Sequence, residues 1–145
     1  AQRAVSDEAK ARCLRLRPVT DAAAAMGLPV ERVFKTLVAK GDKNGLNVFV
    51  IPVAEELDLK KCAAVSGNKS MEMIHVRELL PATGYIRGGC SPIGMKKKYP
   101  TFVDETAMLF DAVAVSAGQR GVQVMLNPDD LLKAAQAKYE SLTRD

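Results

Sequence analysis

Two apolar runs flank the pentapeptide Gly41-Asp42-Lys43-Asn44-Gly45, and that arrangement constrains the fold more than any other feature of the chain. Residues 33–39 and 46–53 have the length and β-branched, aromatic composition of strands. An Asn-Gly pair between two such runs is the strongest short-range signal for a β-hairpin. A doubly wound parallel sheet needs strands that alternate with helices, so this hairpin, and a second tight turn at residues 117–121, argue against it. Further strands are expected over residues 71–76, 101–104, 112–116 and 122–126. A helix is expected over residues 54–66, where Leu57, Lys60, Lys61 and Ala64 separate an apolar from a basic face and Gly67 ends it. A last helix begins at Asn127, with Pro128 in its first position and Asp129 and Asp130 in the turn that the helix dipole favours for acids. Nearer the start, Ser6 suits the cap of a short helix over residues 7–13. Residues 21–26 read as a second helix stopped by Gly27, with Pro29 opening another turn. Strands in the middle with helices before, between and after them predict an α+β domain with a mainly antiparallel or mixed sheet.

The chain has 145 residues, of which 48% are apolar, enough for one core without disulfides or metal. No repeat, linker or low-complexity block divides it, so residues 1–145 are read as one domain. There is no apolar run of membrane-spanning length and no signal-like segment, which predicts a soluble cytoplasmic protein. Cys13, Cys62 and Cys90 form neither an even disulfide framework nor a C-x-x-C pair and read as reduced thiols. The net charge is +4, with local excess at Lys60, Lys61, Lys96, Lys97, Lys98 and Arg120. That distribution suits a polyanionic partner, and equally a solvated basic surface.

The chemistry-bearing stretch is residues 83–98, TGYIRGGCSPIGMKKK, with four glycines ahead of three lysines. Glycine lets backbone approach a ligand closely, and exposed peptide N–H groups bind carbonyl or phosphate oxygens, although a tight surface turn uses the same residues. The single histidine, His75, lies in an apolar segment and reads as structural or superficial. No His-x-x-x-His, acidic-His cluster or phosphate-loop lysine motif occurs, so neither a metal nor a cofactor is expected. Lys35 sits inside Val33-Phe34-Lys35-Thr36-Leu37-Val38, sharing a face with Val33 and Leu37. There it is either a fixed cation in a pocket or an edge-strand lysine that guards against pairing. Cys90 and Ser91 have no neighbouring base, so they are read as pocket lining and hydrogen-bond donor, not as nucleophiles.

The segment VFKTLV, the strand VFVIPVAEELDLKK, the loop TGYIRGGCSPIGMKKKYPTFVDE and the VSAGQRG turn resemble the YbaK/EbsC family of aminoacyl-tRNA deacylases, from about Asp21 to the C-terminus. Within it the chain is most similar to the free-standing Cys-tRNA(Pro) deacylases, and the editing domain of bacterial prolyl-tRNA synthetases is related. The resemblance implies an α+β fold with a mixed, partly barrelled sheet and a pocket for the aminoacylated end of tRNA. It makes Lys35 the essential catalytic lysine. Thr36, Gly88, Gly89, Cys90, Ser91, Pro92, Ile93, Gly94, Ser116 and Gly118 become substrate-binding, and Lys96, Lys97, Lys98 and Arg120 contact tRNA. The implied reaction is cleavage of cysteine from Cys-tRNA(Pro), or Cys-tRNA(Cys), with the substrate's own thiol attacking the ester. Ala-tRNA(Pro) or another small aminoacyl-tRNA is the alternative substrate, and a non-catalytic tRNA- or synthetase-binding module is the alternative role. Aminoacyl-tRNA is the implied partner, with prolyl-tRNA synthetase as a second, and neither membrane nor DNA is implied. Two departures from the family pattern stand out. The tyrosine of the family's first strand has no counterpart among Tyr85, Tyr99 and Tyr139, and Gln123 stands where some members carry an aspartate.

Overall fold

The computed structural model describes residues 14–15 and 30–144. The helices expected over residues 7–13 and 21–26, and Cys13, lie outside the described residues. The hairpin forms as the sequence predicts: β2 (Phe34–Gly41) and β3 (Gly45–Pro52) pair antiparallel from Phe34↔Pro52 to Gly41↔Gly45. Asp42, Lys43 and Asn44 form a three-residue loop, and Gly45 takes the left-handed conformation, φ 77°, that closes it. β3 is buried from Asn47 to Pro52 because it is the middle strand of a five-stranded mixed sheet, ordered β4, β2, β3, β5, β8. β4 (Met71–Met73) runs antiparallel to β2, while β5 (Thr101–Asp104) and β8 (Lys138–Glu140) add in parallel. β1 (Leu14–Arg15), β7 (Val122–Leu126) and β6 (Val113–Ser116) make a three-stranded antiparallel sheet. Among the described residues a parallel bridge, Val33↔Ala114, joins the two sheets, and the fold there is α+β and mixed without closing into a barrel.

Alternation along β2 and β3 divides the core. Phe34, Val50, Val103, Val115 and Val124 pack between the sheets with Leu131 of α3 (Pro128–Ala135). Phe49, Ile51, Phe102 and Leu142 fill the opposite face with Cys62 and Ala63 of α1 (Leu59–Ser66), where the Phe49 and Phe102 rings stack at 5.6 Å. Each fully buried side chain of this kind contributes roughly 1.5–3 kcal/mol.

Three differences from the sequence reading have physical causes. α1 starts at Leu59, not residue 54, because Asp58 caps it and residues 56–58 bond to the C-terminal segment. Asp58 N–H donates to Leu142 O and Arg144 N–H to Glu56 O, which leaves no helical partners for that backbone. The strand expected over residues 71–76 stops at Met73, and α2 (Val76–Thr83) follows it. Alternation and Pro81 disguise α2, yet Glu78 reaches back to the His75 N–H and Gly84 ends the helix at φ 85°. β8 follows a left-handed Gln136, φ 53°, that no glycine announces.

Candidate active site

One edge of β2 is open in its middle. Ala39, Lys40 and Gly41 pair with β4 at one end, and Val33 bridges β6 at the other. Between these anchors, residues 34–38 form no ladder with a third strand among the described residues, and a cavity of about 560 Å³ opens there. A strand that meets a cavity edge-on presents both of its faces. This is why Phe34, Lys35, Thr36, Leu37 and Val38 all line it although their side chains alternate. The β4–α2 corner (Met73, Ile74, His75, Val76, Leu79) forms one wall, Arg87, Gly88 and Cys90 another, and Ser116 and Gln123 the third, with Val53 at the Val33 end of β2.

Among the described residues the lining carries Lys35, His75, Arg87 and Cys90 as ionisable groups and no Asp or Glu. Burial pushes the Cys90 thiol up to about 11, so it stays protonated near neutrality and is no resting nucleophile. Ser116 Oγ accepts from Gly118 N–H at 3.3 Å, and Thr36 Oγ1 and Gln123 Oε1 are buried without a hydrogen-bond partner. Such a site offers positive charge and neutral polar groups. Among the described residues it has no carboxylate or base-activated nucleophile of the kind on which hydrolases of other designs rely.

The glycine-rich stretch serves two purposes. Gly88 and Cys90 reach the cavity, whereas Gly89, Ser91, Pro92, Ile93, Gly94 and Gly118 do not line it. Gly89 packs where a Cβ would stand 2.9 Å from the Arg120 backbone nitrogen, and a Cβ on Gly118 (φ +100°) would meet the Tyr85 ring at 3.0 Å. Tyr85, buried at the centre, donates its hydroxyl to Ile93 O, and Arg120 Nη2 donates to Arg87 O at 3.1 Å. The two loops are therefore interlocked, and small residues are required where they touch. Ser91 Oγ accepts from Ile93 N–H, which shapes the Ser-Pro turn. Pro92, Gly94 and Lys98 border a separate cleft of about 120 Å³, while Lys96 and Lys97 are exposed beside it in sequence.

A sequence profile of the aminoacyl-tRNA editing domain matches residues 16–134. The chain belongs to the aminoacyl-tRNA editing domain family. An Enterococcus faecalis protein that bears the name of a Cys-tRNA(Pro)/Cys-tRNA(Cys) deacylase, EbsC, is 50% identical over 121 residues, 83% of this chain and 74% of that protein. The multifunctional Ser/Thr-tRNA deacylase ProXp-y of Escherichia coli K12 is 26% identical over 98% of this chain and 84% of its own. A crystal structure described as a trans-editing enzyme for prolyl-tRNA synthetase superposes with a TM-score of 0.85 at 26% identity, covering 92% of this chain and 86% of that one. Within this editing-domain fold the sequence reading named Lys35, Thr36, Gly88, Cys90 and Ser116 of the cavity lining. It missed Arg87 and the apolar β4–α2 wall, and saw in Gln123 only a departure. The arginine beside a Gly-Gly pair was the one available signal; the wall is assembled from distant residues and leaves none.

Proposed function

We propose that this editing-domain protein removes cysteine from mischarged Cys-tRNA(Pro), acting in the cytoplasm on the 3′ end of the charged tRNA. The observation that carries this reading is the cavity's inventory: cations at Lys35 and Arg87, neutral polar groups, and, among the described residues, no carboxylate or poised nucleophile. An aminoacyl ester is already activated, so orientation and electrostatic stabilisation of the developing oxyanion suffice when the substrate brings its own nucleophile. The cysteine sulfur attacks its ester carbonyl carbon, the bond from that carbon to the ribose oxygen breaks, and the thiol proton ends on that oxygen. The products are uncharged tRNA and a thiolactone. Lys35 holds the terminal phosphate or ribose, and Lys96, Lys97 and Lys98 meet acceptor-stem phosphates, which makes binding salt-dependent. Prolyl-tRNA synthetase is the proposed partner that selects the tRNA body.

The test is deacylation of Cys-, Ala- and Ser-tRNA(Pro) in parallel, with the released amino acid captured. Cysteine should be lost fastest and its thiolactone trapped. Faster loss of alanine or serine, neither of which carries a thiol, would defeat the thiol-assisted route, and binding without turnover of any of the three would leave a binding module.

A further inference from the structure

Gln123 lies in β7 opposite Ser116 of β6 and Leu14 of β1, is 1% exposed, and forms part of the cavity wall. Its Oε1 is buried with no hydrogen-bond donor among the described residues. A buried amide oxygen without a donor is costly, and a strand position of this kind is ordinarily filled by an apolar or β-branched residue. Arg32 Nε, Thr36 Oγ1 and Gln123 Oε1 are the unpartnered buried side-chain polar atoms among the described residues. The last two border the same cavity. Arg32 lies elsewhere, its guanidinium 5.2 Å from the Phe110 ring centre. Unsatisfied polarity is therefore concentrated where a ligand would sit.

With the proposed aminoacyl-tRNA as the ligand, on which this reading rests, the reacting end offers hydrogen-bond donors at the α-amino group, the side-chain thiol and the ribose hydroxyls. The thiol proton leaves during the reaction, whereas the α-amino group is present in every aminoacyl ester and takes no part in bond changes. Among the described lining residues there is no Asp or Glu, and the Gln123 carboxamide oxygen is a buried acceptor of the wall that an amine can satisfy. The outer torsion of glutamine is soft, and a half-turn exchanges the two ends of the amide without moving the strand.

We propose that Gln123 is a specificity-determining residue whose carboxamide oxygen accepts a hydrogen bond from the α-amino group of the bound aminoacyl ester. It fixes which face of the ester carbonyl meets the thiol, and it rejects N-acylated and peptidyl esters, because an acyl group on that nitrogen would have to enter the wall that Gln123 closes.

Cleavage-resistant amide-linked analogues test this: 3′-cysteinylamino-3′-deoxyadenosine, its des-amino 3-mercaptopropionyl counterpart and its N-acetyl derivative, titrated into the whole protein by calorimetry. The wild type should bind the amine-bearing analogue ten- to a hundred-fold tighter than the other two. Gln123→Leu should lose that preference and keep its melting temperature or gain a few degrees, since it removes an unsatisfied amide oxygen. Gln123→Glu, which keeps the acceptor, should keep the preference. A Gln123→Leu protein that still prefers the amine, or a clear fall in its melting temperature, would overturn the assignment by making the amide irrelevant to binding or a structural group. Equal wild-type binding of all three analogues would overturn it while leaving the proposed function standing. Failure of the wild type to bind any of them would overturn both.

Discussion

The two ends of the β2–β3 hairpin treat polar atoms in opposite ways. At the turn, Asn68 Oδ1 accepts from the Lys43 and Asn44 N–H groups at 2.9 and 3.3 Å, and its amide donates to Asn44 Oδ1 and Ser66 Oγ. Asn47, fully buried, donates to Asn44 Oδ1 and Gly45 O. The Asp42 carboxylate accepts from the Lys69 and Ser70 N–H groups, and the Ser70 bond above all holds its pKa below the ordinary value. At the cavity, along the same strand, Thr36 Oγ1 is buried and unpartnered, and Gln123 Oε1 across the gap is too. The polar groups of the turn find their partners within the chain, whereas these two at the cavity are left open and the fold bears that cost.

The largest expected effect breaks the cavity end. Lys35→Ala should lower kcat/KM for deacylation about a hundred-fold, the scale of losing a charge that positions the reacting end of the substrate. Its melting temperature should stay within about 2 °C of wild type, because Lys35 is part-exposed and has no ion-pair partner among the described residues. Full activity in this variant would remove the cation from the mechanism. Next in size, Asn68→Ala breaks the turn end. Chemical denaturation should show a loss of about 2–3 kcal/mol from two orphaned backbone donors and a vacated contact with Gly41, with kcat/KM per folded molecule unchanged. A selective loss of activity there would erase the distinction between the two ends.

Thr36→Val sharpens the comparison because it inverts the Asn68 outcome. It keeps the shape and deletes a buried hydroxyl that has no partner. Stability should hold or rise by up to about 1 kcal/mol, while kcat/KM falls about ten-fold. A protein that is both less stable and fully active would place that hydroxyl with the structural set.

Much of the scaffold was legible because its signals are local. The Asn44-Gly45 hairpin, the Asn127-Pro128 start of α3 and the Gly67 stop of α1 each follow from a few neighbouring residues. The start of α1 was not, since residues 142–144 decide it from the far end of the chain. The site divides in the same way. Lys35 and the Gly88–Cys90 neighbourhood stand out in sequence, but what makes a cavity is the gap between the β4 and β6 contacts of β2, which no window of sequence contains. Glycines that look like a ligand cradle turn out partly to be clearance: Gly89 and Gly118 admit the opposing loop. Gln123 reads only as a departure from the family pattern until β6, β7 and β2 are brought together around it.

The smallest effect concerns Cys90 in the cavity wall. Burial raises its pKa from 9.0 to about 11, so the folded state favours the thiol. The stabilisation is complete below pH 9.0, where the unfolded chain also holds the proton, and is lost as pH rises through about 11. Cys90→Ala removes this contribution. Between pH 8 and pH 10 the wild type should therefore lose about 1 kcal/mol more stability than the variant, measured by urea denaturation at each pH. Cys62, on the buried side of α1 and raised by burial to about 12, is present in both proteins and cancels in the difference. Slow alkylation of Cys90 by iodoacetamide at pH 8 should accompany this, with the rate rising steeply above pH 10. Fast alkylation at neutral pH would mean that the wall holds a thiolate, and the cavity would then contain a nucleophile of its own beside the one the substrate brings.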